Sequence, residues 1–419
     1  MKRILFTILA AGLFVAESGA AQFAPNHLFV GCKKGRVVEF DPYGNYVATH
    51  QVAPSNQVII DVEFGPDGAL YYIRDYTTVG RYAADGANST VLSPADGLSS
   101  GVFDIDFGPD GYLYVADTYD AEIMRWRPAM GSASEAKYTT TPETFSLNNN
   151  WIYAIEFGPE GTMHMVDVFQ NGVHLFNPDF EYLRERASSF ANPTVMCFGA
   201  NGIMFVGNNN DEIKKLSLIS SPVYTSSEID GIGGMTVGPD ERLYVSSFIN
   251  NKIVIMSQDG VVETVLTHSQ LELPLGLAFA PFRFKATVKV SNARNGQPLT
   301  KARDKRAVLS IAPGSRKIML SVEDEAADAD DAGSALRSAW HVFRGREIIG
   351  DANARKRHFM GNACPVSGLF LGTARIDLTV KGAQDAAGIY TPTGAKGQIG
   401  RDAARSNAFG RIRATKLLN

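Results

Sequence analysis

The sequence predicts an all-β protein: a six-bladed β-propeller followed by a small β-sandwich-like domain. Three observations lead there. One phrase recurs, as 64-FGPDGALYYIR-74, 107-FGPDGYLYVAD-117, 157-FGPEGTMHMVD-167, 198-FGANGIMFVGN-208 and 237-VGPDERLYVSS-247. Its anchors Phe64, Phe107, Phe157, Phe198, Val237 and Phe279 lie 43, 50, 41, 39 and 42 residues apart, and a period near 40–45 residues with strand-like content marks propeller blades. Past Pro281 the repeat stops and the charge reverses. Residues 23–282 hold 14 Lys and Arg against 31 Asp and Glu, whereas residues 283–419 hold 24 against 12.

The chain begins MKRILFTILAAGLFVAESGAAQF. Lys2 and Arg3 precede an apolar run from Ile4 to Ala16, then the small residues Ser18 to Ala21. That order is expected of a secretory signal peptide over residues 1–21, cut near Ala20 or Ala21. The apolar run is too short to cross a hydrocarbon core of ~30 Å, and no later segment is long and apolar enough to span. The mature chain is therefore expected to be exported, to the periplasm, the cell surface or the medium. Cys32, Cys197 and Cys364 form an odd set with no CxxC and no zinc spacing, so buried thiols are expected.

Residues 22–282 read as the propeller. In its clearest repeat, 103-FDIDF-107 alternates as a strand and 108-GPDG-111 is a turn. Pro presets φ, Asp caps locally and Gly takes the left-handed conformation. 112-YLYVA-116 returns, and 122-EIMRW-126 is a third strand, matched by 36-RVVEF-40, 173-VHLF-176, 212-EIKKL-216 and 252-KIVIM-256. Such a meander cannot bury both faces alone, whereas a ring of them can. The last anchor, 276-GLAFAP-281, has no return strand, and 28-LFVGCKKGRVVEFDPYG-44 has return strands without a first strand. Pairing the two completes a sixth blade. Residues 283–419 show alternating strands at 284-FKATVKV-290, 307-AVLSIA-312, 317-KIMLSVE-323, 339-AWHVFRG-345, 374-ARIDLTVK-381 and 409-FGRIRAT-415, which suggests a basic β-sandwich-like domain.

The repeats resemble the NHL family, whose pattern runs roughly G-[IV]-A-V-D-x-x-G-x-[IL]-Y-V-A-D-x-x-N-x-R-[IV]. 111-GYLYVADTYDAEI-123 and 243-LYVSSFINNKI-253 carry it best. They are also similar to gluconolactonase-like (senescence-marker family) and streptogramin lyase-like propellers. The resemblance implies a fold more than a function, because propellers host many activities. In the lactonases a Glu from the first blade and Asn residues opening first strands hold a divalent ion. The matching positions here are Ile60, Phe103, Tyr153, Thr194, Gly233 and Leu275, with no Asn among them, and 23-FAPNHLFVG-31 offers no Glu. The catalytic His of the streptogramin lyases has no placeable match. That ligand set and that base are therefore not carried over.

The strongest internal signal is a pair of acidic rows on the first strands. Asp61, Asp104 and then Glu63, Asp106, Glu156 stand where the resembled repeats usually hold Gly and Ala. Five carboxylates near a ring axis repel unless hydrated, protonated or bridged by a cation. One reading is a site for a divalent cation such as calcium, magnesium, manganese or zinc. The other is a wet acidic channel hydrogen-bonded to neighbouring blades. Asp117 and Asp167, at the ends of second strands, are expected to bond backbone in adjoining turns. His164 and His174 could pair on a metal, but are expected to pack within their blade. The run 323-EDEAADADD-331 lacks the spacing of a calcium loop. The segment 127-RPAMGSASEAKYTTTPETFSLNNNW-151 is a candidate rim loop.

Two functions follow as expectations. The first is an exported binding or scaffold propeller, with a protein, glycan or small-molecule ligand at its rim. Its basic tail would dock on the acidic propeller or on an anionic cell surface, and nucleic acid is not expected, for want of stacking aromatics beside the basic residues. The alternative is a metal-dependent hydrolase or lyase acting on a lactone or cyclic ester at Asp61, Glu63, Asp104, Asp106 and Glu156.

Overall fold

The computed structural model describes residues 23–65, 67–108, 112–126, 143–146, 151–158, 162–176, 182–199, 203–216 and 221–291, together with strands between 293 and 417. The proposed signal peptide, Cys364 and the acidic run past residue 324 lie outside the described residues.

Six four-stranded antiparallel sheets form the ring. The second blade is β4 (Ile59–Phe64), β5 (Leu70–Arg74), β6 (Thr78–Tyr82) and β7 (Asn88–Leu92). The third is β8 (Val102–Phe107), β9 (Leu113–Asp117), β10 (Glu122–Trp126) and β11 (Glu143–Ser146). The fourth is β12 (Ile152–Phe157), β13 (Met163–Asp167), β14 (Gly172–Phe176) and β15 (Tyr182–Ala187). The fifth is β16 (Pro193–Phe198), β17 (Met204–Asn208), β18 (Ile213–Leu216) and β19 (Val223–Tyr224), and the sixth is β20 (Ile232–Val237), β21 (Leu243–Ser247), β22 (Lys252–Met256) and β23 (Val262–Thr267).

The first blade closes the ring as the sequence predicts. Its inner strand is β24 (Leu277–Phe279), and its outer three are β1 (Leu28–Cys32), β2 (Arg36–Phe40) and β3 (Tyr46–Gln51). Phe29 stands opposite Ala278 in that seam. Each of the six junctions between neighbouring blades carries its own apolar cluster, such as Tyr71, Val79, Ile105 and Phe107 between the second and third blades. The second strands are buried on both sides, as in LYVAD, MHMVD and LYVSS, whereas the inner strands mix buried apolar residues with partly exposed ones, as in IIDVEF and VFDIDF.

The recurring phrase has a structural explanation. In 64-FGPDGALYYIR-74, Asp67 Oδ1 accepts the Ala69 N–H, while Asp67 Oδ2 takes the Tyr71 hydroxyl and the Arg81 guanidinium at 2.7 Å. In the sixth blade Asp240 repeats this, accepting from Arg242 N–H at 3.1 Å and from the Tyr244 hydroxyl at 2.8 Å. The turn aspartate thus caps its own hairpin and satisfies the hydroxyl of a large ring packed between blades.

Each blade carries a fourth, outermost strand that the sequence reading did not resolve. Two of them, Tyr182–Ala187 and Val262–Thr267, are polar and largely exposed or half-exposed. The segment 127–151, read as one loop, contains β11, and its remaining residues before Trp151 lie outside the described residues.

Past Pro281 the all-β character continues. Strands Phe282–Ser291, Arg303–Ile311, Ile318–Asp324, Ala339–His341, Phe343–Ile348, Lys356–Ala363, Ala374–Lys381, Asp385–Pro392 and Phe409–Leu417 pair antiparallel in one sheet. Arg303–Ile311 pairs both with Phe282–Ser291 and with Ile318–Asp324. The six strands read from the sequence are among them. The sandwich packing expected of them concerns side chains outside the described residues.

Candidate functional site

Inner strands end a sheet, so their axis-facing N–H groups have no further strand to bond and need other acceptors. The acidic rows supply them. Ile105 N–H donates to Asp61 Oδ2 (3.2 Å), Ile155 N–H to Asp104 Oδ2 (2.6 Å) and Phe157 N–H to Asp106 Oδ2 (2.7 Å). Phe107 N–H takes Asp106 Oδ1 at 2.7 Å. Each aspartate thus reaches from its own blade to the inner strand of the next. Asp106 is 2% exposed, while Asp61, Glu63, Asp104 and Glu156 keep some accessible surface.

Asp61 and Asp104 also hydrogen-bond each other, which requires a proton between them. Burial raises Asp61 to about 6. Asp104 is pushed well above its ordinary range by burial and then by the Asp61 charge. Asp104 therefore holds the proton and donates to Asp61 near neutral pH. Across from the pair, a Cβ on Gly276 would stand 2.5 Å from Asp61 Cα and from its Oδ1, so only glycine fits there. A divalent cation on these rows would have to share or displace four oxygen contacts already made to backbone N–H. Among the described residues no three His, Cys, Asp or Glu side chains converge as a ligand set.

The ends of the second strands behave as expected. Asp117 accepts from the Ser99 N–H at 2.7 Å and from the Ser99 hydroxyl. Asp167 Oδ1 accepts the Gln170 N–H at 3.0 Å, and Ser247 Oγ the Asp230 N–H at 2.7 Å. His164 and His174 do not form a pair. His164 stands opposite Leu175 and His174 opposite Met165, so they face opposite sides of the blade. His164 packs on Phe198, and burial lowers it to about 3, leaving it neutral. Cys32 and Cys197 are buried free thiols, and burial pushes Cys32 up to about 12.

The surface that the sequence did not single out is aromatic. Blades two to six each carry a β-bulge at the second residue of the inner strand, at Ile60, Phe103, Tyr153, Thr194 and Gly233. A bulge takes its residue out of the ladder and re-aims its side chain. These are the positions where the resembled lactonases place Asn. Here Phe103 and Tyr153 lie with ring centroids 4.4 Å apart. Around them stand rings from the hairpins that join second to third strands. Tyr76 is 5.0 Å from Phe103, Tyr119 is 6.3 Å from both Phe103 and Trp151, and Phe169 is 4.7 Å from Trp151. Tyr119 is 57% exposed and Phe169 60%. Exposed rings from three blades thus form one continuous patch on the face where the inner strands begin. Monomeric soluble proteins rarely expose contiguous apolar surface of this kind. A cleft of about 400 Å³ opens at its fourth-to-fifth-blade end, between Trp151, Tyr153, Phe169, Asn171, Asn192 and Asn209.

No family model matches the chain, and no curated protein matches it. Solved structures do. A chain of the crystal structure of a nidogen/laminin complex aligns with a TM-score of 0.51 and 14% identity, over 61% of this chain and 98% of that one. A catalytically inactive virginiamycin B lyase from Staphylococcus aureus with quinupristin aligns at 0.40 and 13%, over 84% and 94%. A protein of unknown function from Bacteroides caccae aligns at 0.47 and 15%, over 61% and 98%. At these identities the first likeness establishes the fold, a β-propeller, and that is the conclusion it carries.

Proposed function

We propose that the protein is a binding propeller. The aromatic patch built by Tyr76, Phe103, Tyr119, Trp151, Tyr153 and Phe169 would receive a protein, glycan or small-molecule ligand. The observation that carries this is the patch itself: large rings held in solvent on one face, contributed by three successive blades. A propeller core gains nothing from rings in those positions, whereas a ligand would cover them. A protein of this fold is found in a complex with a protein partner, which is consistent with such use. The hydrolase or lyase reading needs carboxylate oxygens that here already accept backbone N–H, so binding takes precedence. In this reading the exported chain uses its basic segment 283–419 as the attachment, docking on the acidic propeller or on an anionic surface.

The test compares the purified protein with a Tyr119→Ser/Trp151→Ser/Phe169→Ser variant on arrays of glycans, cell-surface proteins and small molecules. Ligands lost by the variant, with its circular dichroism and Tm unchanged, support the reading. Ligands retained at full affinity overturn it.

A further inference from the structure

We propose that the cleft between the fourth and fifth blades binds a neutral oligosaccharide. This rests on the reading of the aromatic face as a binding surface and names the ligand class for one part of it.

Three properties of the cleft point to sugar. Its apolar part is mostly aromatic: Trp151, Tyr153 and Phe169 beside Val168, with Trp151 and Phe169 centroids 4.7 Å apart. Aromatic faces are negative at the centre, and the C–H groups on one side of a pyranose ring complement them. Its polar part is mainly carboxamides, on Asn171, Asn192 and Asn209, with the Thr194 hydroxyl. An amide both donates and accepts, as a sugar hydroxyl does, so a single side chain satisfies either role of the ligand. None of the residues lining the cleft is charged. The surrounding propeller carries 31 Asp and Glu against 14 Lys and Arg over residues 23–282, so an anionic chain would be repelled and a neutral one tolerated.

The cleft is also held in place before any ligand arrives. Asn192 N–H donates to Asn171 Oδ1 at 2.9 Å, and Asn209 N–H donates to the Asn192 carbonyl at 3.0 Å. Val168 N–H donates to the Trp151 carbonyl at 3.0 Å, tying the Trp151 backbone to the hairpin that bears Phe169. Pre-ordered contacts reduce the entropy lost on binding. Phe169, at 60% exposure, leaves the cleft open along the surface. A chain lying across it suits that shape better than a small molecule enclosed by it. The volume of about 400 Å³ is at the lower end of ligand pockets, ~300–1,000 Å³, which admits a short stretch of such a chain.

The test is isothermal titration calorimetry of the purified full-length protein. The probes are cellohexaose, mannohexaose, laminarihexaose and chitohexaose, with the hexamer of galacturonic acid as the anionic control. At least one neutral hexamer is expected to bind and the anionic one to bind far more weakly. Trp151→Ala and Phe169→Ala should each weaken binding about tenfold or more, as truncation of a central aromatic contact does. Asn192→Ala should weaken it without removing a ring. Tyr43→Ser, in an exposed turn on the opposite face, should leave it unchanged and controls for general stickiness. Failure of every neutral hexamer to bind overturns the assignment, as does binding that Trp151→Ala and Phe169→Ala leave intact. If no hexamer binds but the array ligands of the preceding section are lost in the triple variant, the face is a binding site and only its sugar assignment falls.

Discussion

Tyr76 stands at φ 58° beside Asp75 at 48°, the two central residues of a turn closed by the Thr77 N–H donating to the Arg74 carbonyl at 3.1 Å, both in the left-handed region that Gly or Asn usually fills. A bulky residue there costs on the order of 1–2 kcal/mol, yet its ring lies 5.0 Å from Phe103 in the aromatic patch. Tyr76→Gly is therefore expected to leave Tm no lower while weakening ligand binding, measured by thermal melts beside calorimetry. The turn aspartates give a graded comparison. Asp67 is nearly buried with Arg81, so Asp67→Ala strands a guanidinium and should cost about 3 kcal/mol in urea titration. Asp240 and Arg242 are about one-third exposed, and Asp240→Ala should cost nearer 1 kcal/mol, mostly through the Tyr244 hydroxyl. The Asp61–Asp104 pair sets a pH dependence. Asp61 is raised from 3.8 to about 6, so its stabilising contribution is complete below pH 3.8 and is lost as pH rises through 6, on the order of 3 kcal/mol by pH 7. Wild-type stability should fall between about pH 4 and 7, and Asp61→Asn, which removes the group that titrates there, should flatten that slope. The acidic rows were legible in the sequence because they recur at a fixed offset from each anchor. The aromatic patch was not, because Tyr76, Tyr119 and Phe169 sit in turns more than forty residues apart, and only closure of the ring brings them together.

Among the strands, legibility followed burial. Inner strands announce themselves through alternation, and second strands through apolar runs, on either side of the GPDG turn. Outermost strands such as Tyr46–Gln51 and Tyr182–Ala187 expose most of their side chains and carry no clear alternation, so nothing in their composition separates them from loops. The seam was legible because each end of the repeat array lacks what the other has. It also makes a prediction. A chain ending at Leu275 lacks β24, leaving Leu28, Phe29 and Val30 without the partners Phe279, Ala278 and Leu277. Such a chain should lose cooperative unfolding and become protease-sensitive, whereas a chain ending at Pro281 should melt cooperatively. Calorimetric melts with limited proteolysis of both chains check this.

For the molecule as a whole, charge is the dominant feature. The total of −4 conceals −17 over residues 23–282 and +12 over residues 283–419. Halves of opposite sign attract at low salt and lose that attraction as screening shortens to about 8 Å at physiological ionic strength. Separately produced 23–281 and 282–419 chains are expected to associate in low salt and to separate as salt is raised, read by sedimentation or calorimetry. Association unaffected by salt would remove the electrostatic account of the tail. None of this was visible in the overall composition, where the two halves nearly cancel.

The seam also orders events in time. During synthesis β1 to β3 emerge first, but the strand that covers β1 is made only after the other five blades. Until then the nascent chain presents an uncovered apolar edge that can recruit a strand from a neighbouring molecule. Premature release at any ribosomal pause before Phe279 would therefore yield a sticky fragment rather than a shorter functional protein, and yield should depend on the chain being finished and handed on without delay.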